Sequence, residues 1–186
     1  MTIKDILKAT CSMVGREDVL DYLNGNTSTP GEDTLNAVNV MTALANLVIG
    51  ELAGTFIPMV KRESVVVSDR KVKYADLAER CLRVLAVYNA DGEKIYYKHT
   101  PEYMVVDENA VTIEYEYNPP NYDLDSEIGY KEEDISTATL SYGLAAEFSI
   151  SRGSFDEAVM WHERYVDSVA AKRKLKNSTL KARSFV

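Results

Sequence analysis

Only two histidines and two cysteines occur in 186 residues, and that scarcity removes much of the chemistry a chain of this size can carry. His99 and His162 have no partner at metal-ligand spacing, so no His/Cys zinc site can form around them. His99 precedes Thr100-Pro101 in an expected turn, and His162 falls on an apolar helix face, so both are expected to be structural. Cys11 and Cys81 lie far apart among apolar neighbours, with no adjacent histidine to activate a thiolate. They read as small buried hydrophobes rather than a disulfide. Glycine is sparse and forms no phosphate-cradling loop. No run approaches the ~18 consecutive apolar residues of a membrane span. Met1-Thr2-Ile3-Lys4-Asp5 lacks the apolar core of a secretion signal. The expectation is a protein made and used in the cytosol, or in a particle assembled there, without membrane contact or cofactor.

What is present fits a globular chain: 46% apolar and 27% charged residues, enough for a core without staples. The length suits one domain carrying a sizeable insertion. The net charge of −8 is uneven. Lys172, Arg173, Lys174, Lys176, Lys181 and Arg183 are six bases with no acid among them, so the rest of the chain carries −14. An acidic body repels nucleic acid at contact range. A basic tail on such a body is either an arm with its own partner or a solvated terminus.

Periodicity orders the elements. Thr2-x-x-Asp5 signals a helix start and Gly15 its end. A short helix follows over Arg16 to Leu23. Thr29-Pro30-Gly31-Glu32 places a cap, a first-turn proline and a glutamate before a long amphipathic helix reaching about Ala53. After Gly54 the period changes from 3.6 to 2. Strands are expected over Phe56 to Val67, Arg80 to Tyr88, Lys94 to His99, Tyr103 to Val106 and Val111 to Tyr117, with a hairpin turn at Asn89-Ala90-Asp91-Gly92. Asn118-Pro119-Pro120 closes the β region. A nearly all-apolar helix over Ile135 to Ile150 follows, and Ser154-Phe155-Asp156-Glu157 opens the last one. That helix aligns Phe155, Val159, His162, Val166, Val169 and Ala170, the face expected to pack inward. Grouped helices, strands and helices again indicate an α+β fold. Its expected form is a helical bundle from residues 1–54 and 131–173 with a small antiparallel β-barrel or sandwich, 55–120, inserted. Residues 121–130 form an acidic loop and 174–186 an extended basic C-terminal arm.

Among possible sites, Asp123-x-Asp125-x-Glu127 alternates carboxylates as calcium loops do, and Asp134 follows. It has Ile128 where such a loop needs glycine and no entering helix, so a solvated loop is expected and the metal role is weak. Of twelve tyrosines, Tyr88, Tyr96, Tyr97, Tyr103, Tyr115, Tyr117, Tyr122 and Tyr130 concentrate in the β block and the loop after it, where they suit either strands or contact surfaces. Trp161 and Tyr165, one turn apart at the border of the last helix's apolar stripe, are expected to seal the edge of the core or else to anchor a partner; together with Tyr122 and Tyr130 they are the candidate interface anchors.

The run Ser141-Tyr142-Gly143-Leu144-Ala145-Ala146-Glu147-Phe148, then Gly153-Ser154-Phe155-Asp156-Glu157-Ala158 and Trp161-His162-Glu163-Arg164-Tyr165, resembles the C-terminal helix pair of bacteriophage head–tail adaptor (connector) proteins. Tyr115-Glu116-Tyr117-Asn118-Pro119-Pro120 resembles the exit from the β insertion of podophage-type tail adaptors. The sequence likeness covers about 111–165. The resemblance implies a structural virion protein: a ring, commonly of twelve copies, below the portal protein, which extends the DNA channel, lets DNA pass without sequence-specific binding, and docks tail or stopper proteins. It further implies that Lys172, Arg173, Lys174, Lys176, Lys181 and Arg183 form a portal-binding arm tipped by Phe185 and Val186. The other readings are a stopper or tail completion protein, a non-viral module whose β block captures a ligand, and, resting on the acidic loop alone, an enzyme.

Overall fold

The computed structural model describes residues 1–177, with side chains as far as Lys172. The described residues divide into two compact units, one made of residues 1–51 and 121–177 and the other of 52–120.

The first unit is helical. Helix α1 (Ile3–Val14) starts on a reciprocal cap: Thr2 Oγ1 accepts from the Asp5 backbone N–H, and the Asp5 carboxylate accepts from the Thr2 N–H at 2.8 Å. Gly15 ends it with φ +68°, a left-handed geometry that glycine adopts without steric cost. Helix α2 (Glu17–Leu23) follows, then α3 (Glu32–Glu51). The latter begins at Glu32, later than the Thr29-Pro30 signal suggests. Arg16 bridges Asp18 and Asp33, and Thr34 donates to Asp18, so side chains of α2 hold the first turn of α3. Helix α4 (Thr137–Ser151) is capped by Ser136, whose hydroxyl accepts from the Thr139 N–H. It is central, touching α1, α3 and α5. Helix α5 (Phe155–Asn177) runs past the point where an extended arm was expected at residue 174. Leucine, lysine and arginine are strong helix formers, and no glycine or proline stops the helix there.

Helix α3 and the wider helical turn after it, Glu32–Phe56, are long and apolar enough by length and composition to cross a membrane; 44% of its apolar 18-residue window is buried inside the protein.

The second unit holds two three-stranded antiparallel sheets. In one, β1 (Met59–Val66) and β3 (Cys81–Tyr88) flank β6 (Ala110–Tyr117); in the other, β2 (Lys71–Lys73) and β4 (Lys98–His99) flank β5 (Tyr103–Val105). Val72 and Met104 of the second sheet share one core with Val87, Val111, Ile113 and Tyr115 of the first. The sheets do not close into a barrel, the first of the two forms expected. The alternation of β6 holds, with Val111, Ile113 and Tyr115 buried. Strand β2 went unread in the sequence, and most of the expected 94–99 strand is irregular, with only Lys98–His99 laddered. Asp69 and Arg70, both at positive φ, make the tight turn from β1 into β2.

Candidate interaction surface

No group of three or more His, Cys, Asp or Glu is placed to hold a metal among the described residues. Cys11 is buried, which pushes its thiol up to about 11, and Cys81 is also raised by burial. At pH 7 both are neutral thiols rather than nucleophiles. His99 accepts or donates at 2.6 Å with the Tyr74 hydroxyl, and His162 is exposed on α5.

The acidic loop has a structural job. The carbonyls of Leu124 and Ser126 accept from the N–H groups of Lys4 and Ile3, which are first-turn donors of α1 with no partner inside the helix. Ile128 donates back to the Met1 carbonyl. Asp123, Asp125 and Glu127 are exposed, and Asp125 lies 3.7 Å from Lys4. The loop is anchored at Tyr122. The Asn46 side chain accepts from the Tyr122 N–H at 2.7 Å and donates to its carbonyl at 2.9 Å. The Tyr122 hydroxyl in turn accepts from Gly129 N–H. Tyr130 is buried. Tyr122 therefore fastens the loop to α3, and Tyr130 is not exposed to a partner.

Helix α5 is where the structure departs furthest from the sequence expectation. Ala158, Tyr165 and Val169 form its buried seam. Tyr165 is 4% exposed and so belongs to the core, not to an interface. It fits because α4 presents Gly143, whose missing Cβ would stand 3.1 Å from the Tyr165 ring. The Tyr165 hydroxyl has no hydrogen-bond partner among the described residues. Burial first, then the charges of Glu51 and Glu147, hold it well above the usual tyrosine range. Trp161 is half-buried, stacked on Tyr142 with 6.0 Å between ring centroids and 12° between planes. The Arg164 guanidinium lies 5.1 Å from its ring centre. Tyr142 and Gly143 complete this contact from α4, and neither is a candidate anchor by its sequence position alone.

Of the face expected to pack inward, Val169 is buried as expected and the rest faces out. Phe155 is 66% exposed, Val159 59% and Val166 45%, with His162 and Ala170 exposed beside them and Met160 at 42% nearby. At about 100° per residue this stripe sits roughly a quarter turn from the buried seam. Asp156, Glu163 and Asp167 run along its solvent flank, and none is in an ion pair among the described residues.

Of the expected basic arm, Lys172 is half-buried and donates to the Glu133 carbonyl at 3.1 Å. It belongs to the helical unit and not to a free arm. Arg173, Lys174 and Lys176 are on α5, and Lys181, Arg183, Phe185 and Val186 lie outside the described residues. Neither a protein-family model nor a curated protein matches the chain.

Proposed function

We propose that this chain is a non-catalytic assembly subunit of a tailed-phage particle, a head–tail adaptor that forms a ring below the portal, extends the DNA channel and docks tail or stopper proteins. The observation that carries the reading is the outward apolar stripe Phe155, Val159 and Val166 on α5. A helix that buries one seam and leaves a second apolar stripe in water has a further partner to meet, and a subunit of a ring has one on each side. The order of elements supports the same reading. The helices of the first unit come from both ends of the chain, and the β unit is an excursion between them. The basic residues after Lys172 supply a contact for the portal whose charge is opposite to that of the body.

Native mass spectrometry of the purified chain, alone and with a portal protein encoded beside it, tests the proposal. A fixed-stoichiometry ring on the portal is expected. A chain that binds tail-side proteins while ignoring the portal is a stopper or tail completion protein instead, and one that stays monomeric with every virion protein is neither.

A further inference from the structure

We infer that the solvent face of the β2–β5–β4 sheet is a contact surface for the phosphate backbone of double-stranded DNA, an inference that stands whether or not the chain forms a ring.

Register puts the residues on one face. Lys71 and Lys98 both pair with Val105, and Lys73 pairs with Tyr103. Directly paired residues share a side of a sheet, and residues two apart along a strand do as well. Lys71, Lys73, Lys98, Tyr103 and Val105 therefore lie on one face. The opposite face carries Val72 and Met104, both in the core. The three lysines are exposed, and the outer face of the three strands contains no carboxylate. Asp69, Asp76, Glu102 and Asp107 flank the three strands in sequence, and of these Asp107 pairs with Arg70.

The two sheets treat their bases differently. Around β1–β6–β3 each of three bases has a carboxylate partner: Lys61 with Glu79, Arg62 with Glu114, Arg83 with Glu116. Lys71, Lys73 and Lys98 are in no ion pair among the described residues. In a chain of net charge −8, a face of unneutralised lysines is a local reversal of sign that a polyanion can find.

The chemistry favours a duplex backbone over a single strand or a lipid surface. All three bases are lysines, point charges on flexible stems, which contact phosphates without reading sequence. Strand geometry sets their Cα atoms roughly 7 Å apart along β2 and roughly 10 Å apart across the sheet. A single strand would need aromatic platforms for its bases. Tyr103 is half-buried, with Lys71 Nζ 4.9 Å from its ring centre, so it offers none. A lipid surface would need an apolar group to insert. On this face only Val105 is apolar, and it is half-buried.

The test is fluorescence anisotropy of a short labelled duplex titrated with the full chain over a range of salt, with the chain's mass checked in the same buffer. Weak, sequence-independent binding is expected at low salt. Lys71→Gln/Lys73→Gln/Lys98→Gln should weaken it at least tenfold and flatten the log–log salt dependence by about 3, near one unit per lost phosphate contact. The bases after Lys172 remain in that variant, so a contact made by them alone would leave it unchanged and overturn the inference. Lys61→Gln/Arg83→Gln, which removes two paired bases, is expected to bind as the parent does. Tighter binding to single-stranded DNA, or retention on phosphatidylserine vesicles without duplex binding, would also overturn it.

Discussion

Val48 occupies the space that a side chain on Gly143 would need, since a Cβ there would stand 2.7 Å from Val48 Cγ1. Two Tyr165 ring atoms crowd the same point at 3.1 Å. The approach of α3 and α5 to α4 at this level depends on one absent methyl group. Gly143→Ala gains ~1 kcal/mol of helix propensity but incurs ~1–3 kcal/mol of overpacking against a stiff β-branched neighbour. The expected net loss is about 1 kcal/mol in urea unfolding. Adding Val48→Ala should recover part of it, and full additivity of the two losses would contradict the shared contact.

Tyr165 buries a hydroxyl without a partner among the described residues, a cost of about 1–3 kcal/mol. Tyr165→Phe should therefore stabilise the chain, raising Tm by a few degrees. The pH dependence has a definite sign. A tyrosine whose folded pKa is raised contributes stability that is complete below its unfolded value, about 10, and is lost as pH rises beyond it. Tyr74 and Tyr115, each pushed up to about 12 chiefly by burial, act in the same direction. Unfolding midpoints should fall between pH 10 and 12, less steeply for the Phe variant. Parallel slopes would show that Tyr165 ionises as freely folded as unfolded.

Asn46 clamps both backbone polar groups of Tyr122 and also donates to the Thr42 carbonyl. Asn46→Leu leaves those groups half-buried without their side-chain partner, at a cost of ~1–3 kcal/mol. Asn46→Asp keeps the acceptor for the Tyr122 N–H and should cost less. Hydrogen exchange at Tyr122 and over residues 121–130 reads the effect directly. Unchanged protection there in the Leu variant would mean that the clamp does not hold the loop.

The outward stripe of α5 gives a prediction that separates a contact surface from a core. Val159→Glu/Val166→Glu should leave the unfolding midpoint within ~0.5 kcal/mol of the parent, as for other exposed positions. It should abolish self-association in sedimentation velocity. A loss of several kcal/mol instead would place this stripe in the fold and remove the main support for a ring subunit.

Local signals were legible wherever a few neighbouring residues decide the outcome. The Thr2–Asp5 cap, the Gly15 stop and the alternation of β6 are of this kind, because capping and pleating act over two to four residues. The turn at Asp69-Arg70 was not legible. Two non-glycine residues take left-handed geometry there without the Asn-Gly or Asp-Gly signature, so β2 and the lysine face it carries were missed. The late start of α3 was hidden for a similar reason: Arg16, Asp18, Asp33 and Thr34 meet only after α2 and α3 have packed. At the candidate surface, Trp161 was found, while its stacking partner Tyr142 and the room left by Gly143 belong to a different helix.

By itself the sequence determined the order of elements, the α+β class, the uneven charge and the scarcity of reactive side chains, all of which follow from composition and short-range pattern. Helix α5 carries two apolar stripes, Ala158–Tyr165–Val169 and Phe155–Val159–Val166, and periodicity identifies the second as the more apolar. Only the tertiary structure decided between them. Helix α4 offers a small-residue groove at Gly143 into which the Tyr165 ring fits, and packing complementarity of that kind turns the more apolar stripe to water.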